Sequence, residues 1–150
     1  MTRINAKIKP ADLIDQHLLA EYREIVRIPN AVKANLDNAY KKVKQAPHTF
    51  KLGSGHVIYF YDKIKFLHER FLLLKEELQL RNIETNMSDE MFYNIPDDLY
   101  NDFPEDQVDS ANRTVAIRVF DRIETMKRLP THYKNKVAKS FAQEMIKHYI

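Results

Sequence analysis

The sequence predicts an all-α fold, a single compact domain of three to five helices carrying one long acidic loop. Three observations lead there. Apolar residues recur at alternating spacings of four and three in Phe60, Ile64, Leu67, Phe71, Leu74 and Leu78, the period of a buried helical stripe. A second stripe of helical period runs through Ile14, Leu18, Leu19, Tyr22, Ile25 and Val26. No run alternates in the way a multi-strand sheet requires. With 150 residues, 44% of them hydrophobic, one domain can enclose a core of its own.

The elements follow in order. Asp12, just after Pro10, is placed to cap the first helix, with Asp15 three residues on as a capping-box analogue. That helix runs to about Arg27, and Pro29 kinks or breaks it. A second helical piece covers 30–44, apolar at Val32, Leu36, Ala39 and Val43 and basic at Lys41, Lys42 and Lys44. Pro47 opens a loop to Val57 that holds both glycines, Gly53 and Gly55, which implies backbone at positive φ or close approach to something. Two readings fit: a tight turn packed on the first helix, or bare backbone against which a displaced base could press. His56, following the glycines, reads as a hydrogen-bonded structural residue.

The stripe at 60–78 is the third helix, with Lys65, His68, Glu69, Lys75, Glu76 and Gln79 on its opposite face. Residues 82–109 lack a regular period and contain Pro96 and Pro104. They read as an acidic connection anchored by Phe92, Tyr93, Ile95, Leu99, Tyr100 and Phe103. A helix over 110–128 turns Ala111, Val115, Val119, Ile123 and Met126 inward and offers Arg113, Arg118, Arg122, Lys127 and Arg128 elsewhere. The tail, 134–149, reads as a last amphipathic helix through Val137, Phe141, Met145 and Tyr149.

The net charge of +3 hides an asymmetry. Residues 82–112 carry 9 acidic residues and no Lys or Arg, so the rest of the chain holds 24 basic against 12 acidic residues, or +12. Such a surface attracts polyanions, and the acidic stretch is expected to lie away from them. The six histidines fall into no metal-ligand spacing, and no calcium loop, phosphate-binding Gly-Lys motif or GxGxxG is present, so no metal and no cofactor are expected. Two-metal nuclease chemistry needs converging carboxylates, and outside 82–112 the acids are scattered. The start has no apolar run of signal-peptide type, and the longest aliphatic cluster is too short to span a membrane. The absence of Cys fits a reducing interior. A cytoplasmic monomer with no membrane contact is the expectation.

Counting at about 100° per residue sorts the faces of the first helix. Gln16, Arg23 and Arg27 share the arc opposite the apolar stripe, with Glu24 and His17 at its edge and Ala20 near its centre. Arginine forks around a one-methyl floor, with a carboxylate beside them, suit a phosphodiester. A solvated face of Arg–Glu pairs is the other reading of the same residues.

The wording of the N-terminal part goes further. Met1–Asn5 (MTRIN), Asp15–Glu24 (DQHLLAEYRE), Thr49-Phe50, Leu52–Val57 (LGSGHV) and Phe60–Lys63 (FYDK) stand in order. Together they resemble the pyrimidine-dimer DNA glycosylase/AP lyase family typified by phage endonuclease V, and Pro130-Thr131 with Tyr133-Lys134 extends the likeness. The resemblance implies a compact helical enzyme acting on double-stranded DNA that carries pyrimidine dimers or abasic sites. It implies that removal of Met1 frees the α-amine of Thr2, which attacks the anomeric carbon, expels the base and forms an imine. Glu24 would stabilise the sugar cation and take the proton for β-elimination. Arg23 and Arg27 would hold flanking phosphates, Arg3 and Gln16 the lesion strand, with His17 as support and Tyr133 and Lys134 as further DNA contacts. A non-catalytic basic DNA-binding protein on the same scaffold is the alternative. One departure stands out: where the family carries a Trp-Tyr-Lys-Tyr-Tyr run, this chain reads His132-Tyr133-Lys134-Asn135. Weaker discrimination of dimers is therefore expected, with Phe141 and Tyr149 buried by the added tail.

Overall fold

The computed structural model describes residues 2–150, so Met1, and with it the expectation about its removal, lies outside the described residues. The all-α class holds. Seven α-helices are present among the described residues: α1 Asp15–Ile25, α2 Arg27–Ala34, α3 Leu36–Gln45, the single turn α4 His56–Tyr59, α5 Ile64–Leu80, α6 Val108–Glu124 and α7 Lys139–Lys147. A two-stranded antiparallel hairpin, β1 Thr131–His132 and β2 Asn135–Lys136, pairs Thr131 with Lys136 and His132 with Asn135. No helix among the described residues is long and apolar enough to cross a membrane.

α1 packs along α5 through the stripes the sequence shows, with Tyr22 stacked on Phe71 at 5.3 Å between ring centres. The buried side chains form one contiguous cluster running from Ile4 to Ile146. Beside this apolar contact lies a buried ion pair, Glu21 with Arg70, in which Nε and Nη2 each reach a carboxylate oxygen at 2.9 Å. A second knot surrounds Arg81, whose guanidinium donates to Glu77, Asp15 and the carbonyls of Pro10, Ala11 and Leu13. With every fork position engaged, a fully desolvated Arg is tolerable in the interior.

Several expected boundaries shift, each for a local reason. The Asp12 cap is not formed: Pro10–Asp12 is a 3-10 turn, and α1 begins at Asp15 with Ile14 at its N-cap position. Asp15 serves a tertiary role instead of a capping box, accepting from Thr131 Oγ1 at 2.7 Å and from the Tyr133 and Lys134 N–H groups at 3.2 and 2.8 Å. Burial alone would raise its carboxyl, but the hydrogen bonds from Thr131, Lys134 and Arg81 outweigh that and hold it below the ordinary range. The chain breaks before Pro29, which sits in the first turn of α2, where a missing N–H costs nothing. The piece expected over 30–44 is two helices. Asn35, at φ −154°, interrupts it and caps α3 by accepting from the Asn38 N–H at 3.0 Å. Phe60 is buried but lies between α4 and α5.

The acidic connection consists of loops and three 3-10 turns, Glu90–Phe92, Asp97–Leu99 and Glu105–Gln107. Phe92, Leu99 and Phe103 are its buried anchors, whereas Tyr93 is exposed. Asp89 is bonded by His68 and Tyr93, and Asp98 by Tyr40. In the tail, α7 buries Ala142, Gln143 and Ile146, one position round from the expected stripe. Phe141 is therefore 49% exposed, contrary to expectation, and Tyr149 spends its hydroxyl on Asp12 at 2.6 Å.

Candidate active site

The N-terminal segment is laid against α1 by side chains that take its backbone N–H groups one after another. Arg3 N–H donates to Glu24 Oε1 at 3.2 Å, Ile4 N–H to His56 Nε2 at 3.0 Å, and Asn5 N–H to Glu21 Oε2 at 3.2 Å. Glu21 and Glu24, one turn apart on α1, thus act as two rungs beneath the segment. The His56 rung comes from the glycine loop, where Gly53 and Gly55 have φ of 73° and 91°. A Cβ on Gly55 would sit 3.1 Å from the Lys51 side chain and 3.3 Å from Pro47, so this turn admits little else. His56 Nδ1–H donates to the Lys51 carbonyl at 2.9 Å, which leaves Nε2 as the acceptor that Ile4 uses. Burial pushes this imidazole down to about 4, so it is neutral at pH 7. The structural reading of His56 is borne out, although the loop clamps the N-terminal segment. Thr2, only 8% exposed, is held in place.

These rungs form one side of a cleft of about 260 Å³. Arg3 and Asn5 come from the N-terminal segment, His17, Ala20, Glu21 and Glu24 from α1, and Arg118, Val119 and Arg122 from α6. Glu21 is neutralised by Arg70, so three guanidiniums face one remaining carboxylate, that of Glu24. The crowding leaves its mark on Arg118, Arg3 and His17. Burial, then the neighbouring Arg3 and Arg122, bring Arg118 down to about 10. Burial and Arg122 lower Arg3, partly offset by Glu24. Burial, then Arg122, Arg118 and Arg3, push His17 down to about 4. Among the described residues, two buried polar atoms lack a partner, His17 Nδ1 and Arg118 Nε, and both belong to residues that line this cleft. A cleft lined by three guanidiniums, with the Arg118 Nε–H among its unpartnered polar atoms, is complementary to an anionic group bearing acceptor oxygens.

The residues singled out by sequence divide into those this cleft gathers and those it does not. Arg3, His17 and Glu24 line it, and Thr2 is covalently next to Arg3. Arg23 and Arg27 are exposed on the neighbouring arc of α1 and of the start of α2. Gln16 turns toward the hairpin, its amide accepting from the Thr131 N–H at 3.1 Å and donating to the Leu129 carbonyl at 3.4 Å. Tyr133 and Lys134 form the hairpin turn at φ 53° and 69°, over-determined by the Asp15 carboxylate beneath them. The Tyr133 hydroxyl donates to Glu77 and Lys134 Nζ to the Asn82 carbonyl, while the Tyr133 ring remains 42% exposed. In the sequence Arg118 and Arg122 read only as polar positions of an amphipathic helix. Their spacing of four on one face was the available signal, but nothing local assigned that face to α1. None of the nine acids of 82–112 lines the cleft.

The helical scaffold thus presents a basic cleft beside the N-terminal segment, with Glu24 as its one carboxylate not paired to Arg70. The comparison with known families makes this specific. The family model described as pyrimidine dimer DNA glycosylase matches residues 1–91, and the chain belongs to that family. The match covers the N-terminal segment and α1 to α5; α6, the hairpin and α7 lie beyond it. DNA is accordingly the substrate class, and base excision the activity that membership brings.

Proposed function

We propose that the chain is a glycosylase with an associated AP lyase activity, acting on duplex DNA that carries pyrimidine dimers or abasic sites. The observation that carries this reading is the Arg3 N–H···Glu24 bond inside the cleft. Adjacent backbone nitrogens are about 3–3.6 Å apart, so the Glu24 oxygen lies within roughly 7 Å of the Thr2 nitrogen whatever the local dihedrals. That is room for one sugar carbon between amine and carboxylate.

With Met1 removed, Thr2 carries an α-amine whose ordinary pKa near 7.8 already leaves far more of it neutral than a Lys near 10.4. The neutral nitrogen attacks the anomeric carbon as the glycosidic bond breaks, and the base leaves with its electron pair and takes up a proton. The C1′–O4′ bond then breaks, O4′ takes the second proton given up by the nitrogen, and an imine remains. Glu24 stabilises the sugar cation first, then accepts the C2′ proton. The electrons left behind expel the 3′ phosphate, and water hydrolyses the imine. The three cleft arginines hold phosphates, Arg23 and Arg27 extend that contact along the strand, and neutral His17 offers a hydrogen bond without adding charge.

Borohydride reduction tests this directly. A covalent adduct with abasic duplex, mapped to residue 2 by peptide analysis, is the expected result. The competing reading, a non-catalytic DNA-binding scaffold, requires that no adduct form, and an adduct mapped to a lysine would move the chemistry elsewhere.

A further inference from the structure

We propose that Asn5 is a positioning residue of the cleft, coupling the buried Glu21–Arg70 pair to Arg118 and holding that guanidinium ready for substrate. The inference deepens the reading above and rests on it. Asn5 Oδ1 accepts from Arg118 Nη2 at 2.7 Å, while Asn5 Nδ2 donates to Glu21 Oε1 at 2.9 Å. Glu21 is in turn gripped by Arg70, so a chain of hydrogen bonds runs from α5 through α1 and the N-terminal segment to α6.

The amide suits this place because it donates and accepts at once. An apolar side chain would leave both neighbours short of a partner. A carboxylate would repel Glu21 and pair ionically with Arg118. Among the described residues Arg118 makes no ion pair, and Asn5 supplies its one hydrogen-bond acceptor. Asn5 therefore fixes the guanidinium without neutralising it, and leaves its charge free for the substrate. A buried Arg held by a neutral partner keeps its full charge for a phosphate, which an Arg–carboxylate pair does not.

The test is a double-mutant cycle of Asn5→Ala and Arg118→Ala, read as kcat/KM on dimer-containing duplex and as the salt dependence of affinity for undamaged duplex. Asn5→Ala should lower kcat/KM by about tenfold, and the double variant should be no worse than Arg118→Ala alone. Losses that multiply would show that Asn5 acts independently and would overturn the proposal. So would an Arg118→Ala protein unchanged in both readouts. Asn5→Asp supplies the second line should Asn5→Ala not fold. By pairing with Arg118 it should reduce the salt slope by about one phosphate contact, as Arg118→Ala does. A merely structural role would leave that slope unchanged. The slope is read on undamaged duplex and requires no catalysis, so failure to trap an adduct would strike the amine mechanism and leave this coupling standing.

Discussion

The two walls of the cleft differ in how they come about. On one side, His17, Ala20, Glu21 and Glu24 belong to a single helix, lie within the family-matched residues 1–91, and hold the N-terminal segment by direct hydrogen bonds. On the other, Arg118 and Arg122 project from α6, outside that match, and Arg118 reaches the first wall through Asn5. The first wall holds Glu24 against the N-terminal segment, and the second carries two guanidiniums. On the function proposed above, chemistry and affinity are separable by substitution, wall by wall.

The largest effect is expected at Glu24. Glu24→Gln keeps the shape, removes the charge that stabilises a sugar cation and should lower cleavage at dimers by at least about a hundredfold. Affinity for the same duplex should hold or rise, because one phosphate-repelling charge is gone. Cleavage within a few-fold of the parent would reduce Glu24 to a rung beneath Arg3. Glu21 is an unsuitable substitute, since Arg70 and Asn5 already occupy its oxygens.

Arg122→Ala, on the opposite wall, should act mainly on affinity. Binding is expected to weaken by about tenfold at moderate salt, with the salt slope falling by about one and kcat changing less than KM. A loss confined to kcat would place the chemistry on α6 and erase the division between walls.

A smaller effect, confined to the α1 side, is expected with pH. His17 and His56 are both pushed down to about 4 from an ordinary 6.5, so the unfolded chain binds their protons first. Their contribution to stability is complete above about pH 6.5 and is lost as the pH falls through 4. Urea midpoints measured at pH 7 and pH 5 should show this fall. His56→Gln should flatten part of it, on the order of 1 kcal/mol. An equal pH dependence in the variant would locate the titration elsewhere.

The smallest change is expected at the hairpin. His132 lies 4.8 Å from the Tyr133 ring and 5.9 Å from Phe141, and its imidazole offers a base less surface than an indole. Stacking on a base is worth roughly 1–3 kcal/mol in full, so His132→Trp should sharpen the dimer-to-undamaged binding ratio by a few-fold. An unchanged ratio would show that recognition does not pass through this turn.

How far the sequence carries depends on whether a property is local. The stripes of α1 and α5 are local, and they fix which faces are buried. The positive φ at Gly53 and Gly55 is local too, and was foreseen. Asp15 misled because an acid near a helix start is usually a cap, whereas here the hairpin, more than a hundred residues on, uses both its oxygens. The cleft sits on α1 toward His17 and Glu24, to one side of the arc centred between Gln16 and Arg27, because α6 packs there. That packing is set by Val115, Ala116 and Val119 against the core, a tertiary fact that no count along α1 contains. Arg70 and Arg81 were hidden for the same reason: only the fold reveals that their partners are Glu21, Glu77 and Asp15.

The proposed role of the Thr2 amine as nucleophile is tested most directly by one comparison. The protein is prepared in two forms, one with Met1 removed and one with the α-amine verified as blocked by retained Met1 or acetylation. Both are assayed on dimer-containing duplex for binding and for strand cleavage. The expected result is near-equal binding with cleavage only by the form whose Thr2 amine is free. Normal turnover by the fully blocked form would contradict it.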